Sequence, residues 1–155
     1  MMRNLLVGVA AGAAGTVALN VATYADMALR GRPSSAAPAQ LAGVLAEKAG
    51  LPLAADGEDK AGNRKRGLGA LFGYVTGLGV GAAYGLLRPS LGNLPAPLAG
   101  AGAGLAAMAA GDVPLAVTGV SDPATWGVSG WAADLVPHLA YGLVTAAVFD
   151  ALHGE

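Results

Sequence analysis

Between Gly67 and Leu87 the chain carries no charged residue, and within that stretch glycine recurs at every fourth position: Gly69, Gly73, Gly77, Gly81 and Gly85. A four-residue repeat runs along one ridge of an α-helix, so one side of this helix is nearly bare backbone. In water each interior glycine costs about 1 kcal/mol relative to alanine, and such a helix is poor. In a lipid bilayer the same stripe lets a second helix approach closely and gain dispersion contacts that lipid cannot match. The 21 residues from Gly67 to Leu87 extend about 31 Å at the α-helical rise, enough to cross the hydrocarbon core.

The rest of the chain points the same way. Only 12% of the 155 residues are charged and 54% are hydrophobic, against roughly 25% charged in soluble domains. Mean hydropathy is +0.54. A soluble Ala/Gly-rich bundle fits poorly, because several runs of about 20 residues lack a polar face. The length fits one domain, residues 1–155. A net charge of −1 gives no bulk attraction to nucleic acid, and the lack of cysteine excludes disulfides and thiol chemistry.

Four spans are expected, at about 5–29, 67–87, 94–117 and 135–152. The first contains Asn20, Tyr24 and Asp26; the third begins near Pro97 and is disturbed at Asp112 and Pro114. The N-terminal run continues to about Leu29, longer than a signal-peptide core and without an Ala-x-Ala site, so an uncleaved first span is expected. Between the first two spans, Ala39–Ala49 reads as a short amphipathic helix with Leu41, Val44 and Leu45 on one face. Asp56–Arg66 reads as a mobile mixed-charge loop. Ser121–Trp131 reads as an interfacial helix, with Asp122 as N-cap, Pro123 in the first turn and Trp126 and Trp131 at headgroup level.

The segment Arg30–Arg66 holds seven of the nine Lys and Arg residues, the others being Arg3 and Arg88. The positive-inside rule therefore places this loop and the tryptophan segment in the cytoplasm, with both termini outside. Arg64-Lys65-Arg66 abuts the second span, where cations attract anionic lipid.

Small-residue seams recur on other spans: Gly8 and Gly12 with Thr16 and Asn20 on the first, and Ala96, Gly100, Gly104 and Met108 on the third. Such seams pack a protein's own helices or form an interface with another subunit. Thr16 and Asn20 are expected to hydrogen-bond across helices. The polar candidates are Asp26, Arg30, Asp112, Asp134 and His138. Asp26 pairs with Arg30 at i+4, and Asp134 with His138 at the same spacing, Asp134 also suiting the N-cap of the fourth span. All lie towards the cytoplasmic ends of their spans, where they either cap helices or line a small cavity. A zinc site needs three or four ligands, and the only other histidine is His153, so no metal is expected. No nucleophile elbow, H-E-x-x-H, phosphate loop or dinucleotide fingerprint is present, so no catalytic residue, no cofactor and no enzyme activity is expected.

Three segments carry a resemblance: TYADMALRGRPSS, PAQLAGVLAEKAG and DLVPHLAYGLVTAAVFDAL. Together they resemble small actinobacterial membrane proteins distantly similar to the YagU-like inner-membrane family. The resemblance implies a four-helix protein of the bacterial inner membrane, matches the family pattern at Asp26, Arg30, Arg32, Pro33, Asp134, Pro137 and His138, and supplies no catalytic residue.

The sequence thus predicts an all-α integral membrane bundle of four transmembrane helices with short cytoplasmic amphipathic helices. The expected function is a structural or accessory subunit, packing with itself or another membrane protein and contacting membrane lipids. The alternative is a small transporter or channel with a cytoplasm-facing Asp/His cavity.

Overall fold

The computed structural model describes residues 1–55 and 57–154. Five α-helices follow in order: α1 (Met2–Arg30), α2 (Ala37–Lys48), α3 (Glu58–Leu87), α4 (Ala96–Val117) and α5 (Gly127–His153). A 3₁₀ turn at Arg88–Leu91 prolongs α3, another at Pro123–Thr125 precedes α5, and no strand occurs among the described residues. Four of the helical stretches, of 29, 34, 22 and 27 residues, are long and apolar enough to span a membrane, which is the build of a multi-pass membrane protein. Large apolar side chains such as Val17, Val21, Leu71, Val75, Leu98, Val113 and Leu143 point outward. In water that surface would be an aggregation liability; in a bilayer it faces a solvent of its own kind.

Contacts order the spans as α3–α1–α5–α4, with α3 and α4 touching lightly. Gly8 meets Gly85 and Gly12 meets Gly77, so α1 and α3 run antiparallel. Gly15 lies against Tyr141 and Thr145, and Gly100 and Gly104 lie against Gly142, making α1/α5 and α4/α5 antiparallel too. Both termini consequently share one end of the bundle, and α2 shares the other with the Ser121–Trp126 connection.

The glycine seams close the bundle on itself. A Cβ on Gly8 would stand 2.5 Å from the Gly81 carbonyl oxygen, and one on Gly12 2.6 Å from that of Gly77. A Cβ on Gly100 would stand 2.7 Å from the Gly142 carbonyl oxygen. Real Cβ atoms do not approach that closely, so these crossings exist only because both helices lack side chains there. Two ridge members behave differently. Gly69 packs against the Pro38 backbone at the start of α2, and Gly73 has nothing within 4 Å of its Cβ position.

Several sequence expectations need correction. The Asp56–Arg66 loop is helical from Glu58 onward, Asp56 itself lying outside the described residues. Glu58 and Asp59 sit in the first turn, where the helix dipole favours acids, and Ala61 is buried while Arg64 reaches back to the Leu53 carbonyl oxygen at 2.8 Å. Charge composition disguised a helix with one small residue on its inner face. The fourth span starts at Gly127 rather than near 135, so Asp134 is no N-cap; it stands inside α5. Pro137 lies well inside the helix, which runs through it. The interfacial helix shrinks to one 3₁₀ turn, which Asp122 caps by accepting from the Ala124 N–H at 2.9 Å, and Trp131 belongs to α5. The helix α4 also continues past Asp112 and Pro114 to Val117. Thr16 turns its hydroxyl to its own helix, donating to the Gly12 carbonyl at 2.8 Å.

Candidate functional site

At the loop end the seams stop. Beyond the last glycine contacts, of which Gly104 against the His138 backbone is the nearest, the side chains become Leu19, Thr23 and Met27 on α1, Asp112 and Leu115 on α4, and Asp134, Pro137 and His138 on α5. These cannot interlock as closely as bare backbone, and the helices part around a cavity of about 380 Å³. Arg32, Ser34, Ser35 and Trp126 from the connections complete its wall.

Hydrogen-bonding capacity in this cavity is lopsided. The His138 Nδ1 lies 2.8 Å from the Asp134 backbone oxygen and 3.4 Å from its Oδ1. A carbonyl oxygen only accepts, so Nδ1 carries the hydrogen and the neutral ring keeps Nε2 as an acceptor. The Asp134 Oδ2 is buried and has no hydrogen-bond partner. Asp112 reaches the same cavity from α4 and comes within hydrogen-bonding reach of the Asp134 carboxyl, so the two acids are each other's neighbours. Pro137 has no N–H, so the Ala133 carbonyl loses its usual helical donor on the same stretch of wall. The one cation, Arg32, is committed: its Nε donates to Asp26 and its Nη1 to the Pro33 carbonyl oxygen at 3.3 Å. Ser35 Oγ accepts from the Ala37 N–H at 3.2 Å.

The five polar candidates therefore divide. Asp112, Asp134 and His138 meet in the cavity. Asp26 and Arg30 form a pair next to it, with Nε–Oδ1 at 2.6 Å and Nη2–Oδ2 at 2.8 Å. Arg30 Nη1 also donates to Ser129 Oγ on α5 at 2.8 Å, tying the end of α1 to the start of α5. This pair lines a second cavity of about 200 Å³ with Ala22, Ala132, Val136 and Pro137. Among the described residues no group of three or more His, Cys, Asp or Glu side chains is arranged to hold a metal ion.

Going inward, Tyr141 and Thr145 are fully buried. The Tyr141 hydroxyl donates to the Gly77 carbonyl oxygen at 2.6 Å, and Thr145 donates to the Tyr141 carbonyl at 2.8 Å. This layer ties α5 to α3 inside the bundle. At the far end, Arg88 Nε stands 3.4 Å from Asp150 Oδ1, and Arg3 donates to the Leu152 and His153 carbonyl oxygens at 3.3 Å. The bundle is thus open at the loops and fastened at the termini.

Sequence reasoning missed Gly142, which receives Gly100 and Gly104 of α4, because it belongs to no glycine repeat of its own. Gly142 and Ala146 at i+4 were the available signal. It also read Trp126 only as a headgroup anchor and Tyr141 only as an anchor or packing residue, whereas the first lines the cavity and the second hydrogen-bonds across the bundle to Gly77. Comparison with known proteins finds no family model that matches the chain, no curated protein similar to it and no solved structure that resembles it.

Proposed function

We propose that the chain is a multi-pass protein of the bacterial inner membrane that admits a small polar solute into the cavity between α1, α4 and α5, as a small transporter or solute-binding protein. The convergence of Asp112 from α4 with Asp134 and His138 from α5 on a cavity of about 380 Å³ is the observation that carries this reading. Ionisable groups at membrane depth are costly to keep, and a polar solute among them offsets that cost. The two termini lie outside and the Arg30–Arg66 loop in the cytoplasm, which makes the cavity cytoplasm-facing. Membrane lipids are the surrounding partners. Neither nucleic acid, nor a cofactor, nor bond-making chemistry enters the proposal. Kinship with the YagU-like inner-membrane proteins is proposed alongside it, on the segments quoted above.

The chain has no cysteine, so single cysteines are clean probes. In inside-out vesicles, a water-soluble maleimide should label Thr23→Cys and Ala133→Cys, and leave the seam variant Ala146→Cys untouched. Equal silence at all three positions defeats the cavity reading. Labelling in right-side-out vesicles alone reverses the orientation.

The second reading is the accessory subunit, supported by a different observation. Gly73 is uncovered amid exposed Leu71, Phe72, Tyr74 and Val75, so this part of the α3 ridge remains available to a partner helix. Native mass spectrometry of gently extracted protein checks it: a stoichiometric companion supports this reading, and a lone monomer removes it.

A further inference from the structure

We propose that the outer face of α3 at the loop end docks an anionic phospholipid, its headgroup phosphate on Arg66 and Lys60 and an acyl chain laid where α1 and α3 part. The proposal is independent of the solute cavity. It joins two features that the cavity does not use: cations without a counter-charge, and a helix seam that opens partway along.

The seam between α1 and α3 keeps a strict register. Gly8 meets Gly85, Gly12 meets Gly81 and Thr16 meets Gly77. Asn20 and Gly73 come next in that register, yet nothing lies within 4 Å of the Gly73 Cβ position, so the helices have parted there. Gly69, one turn further on, is seated against the Pro38 backbone of α2. What remains on α3 is a crevice closed at Gly77 and open towards Arg66, eleven residues away. That is about 16 Å at the helical rise, close to half of a hydrocarbon core of roughly 30 Å. Its depth is therefore that of one leaflet, and a flexible acyl chain can follow it from end to end.

The mouth of the crevice is cationic. Lys60, Asn63, Gly67, Ala70 and Tyr74 recur at the spacing of one helix face, and all are exposed. Arg66 and Gly73 border that face. Elsewhere in the bundle guanidiniums are answered, Arg30 and Arg32 by Asp26 and Arg88 by Asp150. Among the described residues no carboxylate pairs with Lys60, Lys65 or Arg66. Lys65 lays its stem over Gly43 of α2. Arg66 is exposed, and its Nη1 donates to Asn63 Oδ1 at 3.4 Å, which keeps the guanidinium beside the Lys60 face. Glu58 and Asp59 stand about two turns further out, roughly 10 Å beyond the Arg66 level. The charge at the membrane edge of this face is thus positive. A lipid phosphate supplies the missing negative charge through charge-assisted bonds, whereas a zwitterionic headgroup brings its own ammonium to the same place.

Brominated acyl chains quench indoles that they touch, and Tyr74→Trp places an indole on this face. With Trp126 and Trp131 replaced by phenylalanine it is the only one in the chain. The protein is reconstituted in phosphatidylcholine vesicles holding equal small fractions of brominated phosphatidylglycerol or brominated phosphatidylcholine. The anionic lipid should associate about fivefold more strongly at Tyr74→Trp, since each cation near the surface contributes on that scale. Arg66→Gln should bring the preference below about twofold, and Arg66→Lys should keep most of it. Val113→Trp, on the exposed surface of α4 at the same end, should show little preference. Equal quenching by both lipids at Tyr74→Trp overturns the proposal, as does a preference that Arg66→Gln leaves intact. The same preference at Val113→Trp replaces a docking site by general attraction and overturns it too. If neither lipid quenches Tyr74→Trp while both quench Val113→Trp, a protein partner covers the face and the lipid is displaced from the argument. Should Arg66→Gln fail to fold, salt on the unaltered Arg66 background decides: the preference must fall as ionic strength rises, and one that does not fall is not electrostatic.

Discussion

Around Gly12, Gly81, Gly104 and Gly142 the helices touch backbone to backbone, whereas around Leu19, Asp112 and Asp134 the same helices part around an open cavity of about 380 Å³. The difference is one of side-chain size along continuous helices. Where two facing ridges are glycine, the axes are drawn together until carbonyl oxygens meet Cα atoms. Where branched, acidic and imidazole side chains follow, the axes are held apart, and the space between them cannot be filled by those same side chains. The cavity is thus a consequence of where the glycine seams end, and the tight region fixes the geometry of the open one.

The largest expected effect breaks the tight region. A Cβ at Gly81 would stand 2.5 Å from Gly12 Cα, with backbone and no flexible side chain to give way. Gly81→Leu should cost about 3 kcal/mol or more, the upper end of overpacking penalties, and abolish a cooperative unfolding transition in detergent. An unchanged midpoint would refute the backbone-to-backbone crossing. Next is the buried Tyr141 layer between the regions. Tyr141→Phe removes the hydroxyl that reaches Gly77 across the bundle and should lower stability by about 1 kcal/mol while leaving the fold intact by circular dichroism.

In the open region the sign should reverse. Asp112→Asn replaces a half-buried acid by a neutral amide that can still hydrogen-bond Asp134, and should leave the midpoint unchanged or raise it by up to about 1 kcal/mol, since binding sites are kept at the expense of stability. A clear loss of stability would mean that Asp112 is a structural partner and not part of a solute wall. The smallest effect is a control on the same ridge as the largest. Gly73→Leu places its side chain in open space and should change stability by no more than about 0.5 kcal/mol, through helix propensity in the favourable direction. If it instead alters assembly mass in native spectrometry, the uncovered part of α3 is an interface.

The tight region was largely legible in the sequence and the open one only in part. A four-residue period is a direct statement about one helix face, so the ridge from Gly69 to Gly85 and the pairs Gly8/Gly12 and Gly100/Gly104 could be read from spacing alone. Which ridges meet could not, because any small-residue face accepts any other. Gly142 shows the cost: as a single glycine it announces nothing until Gly100 and Gly104 are brought against it. For the cavity, spacing placed Asp134 and His138 on one face, and the shared depth of Asp112 brought it in. The sequence misled where local signals imitate boundaries. Asp134 before Pro137 looks like a cap before a helix start, and Glu58–Arg66 looks like a solvated loop, yet both lie in continuous helix because the flanking turns supply the contacts that propensity alone does not.

The way Gly142 is seated has a consequence for how such a chain can change over generations. A contact made of backbone atoms offers no side chain to exchange, so Gly100, Gly104 and Gly142 tolerate no gradual substitution and no compensating pair. The cavity wall is under no such restriction, for Leu19, Thr23, Leu115 and Trp126 can each be traded without moving a helix axis. Lineages built on this bundle are free to drift in what they hold while being barred from drifting in how they are held together.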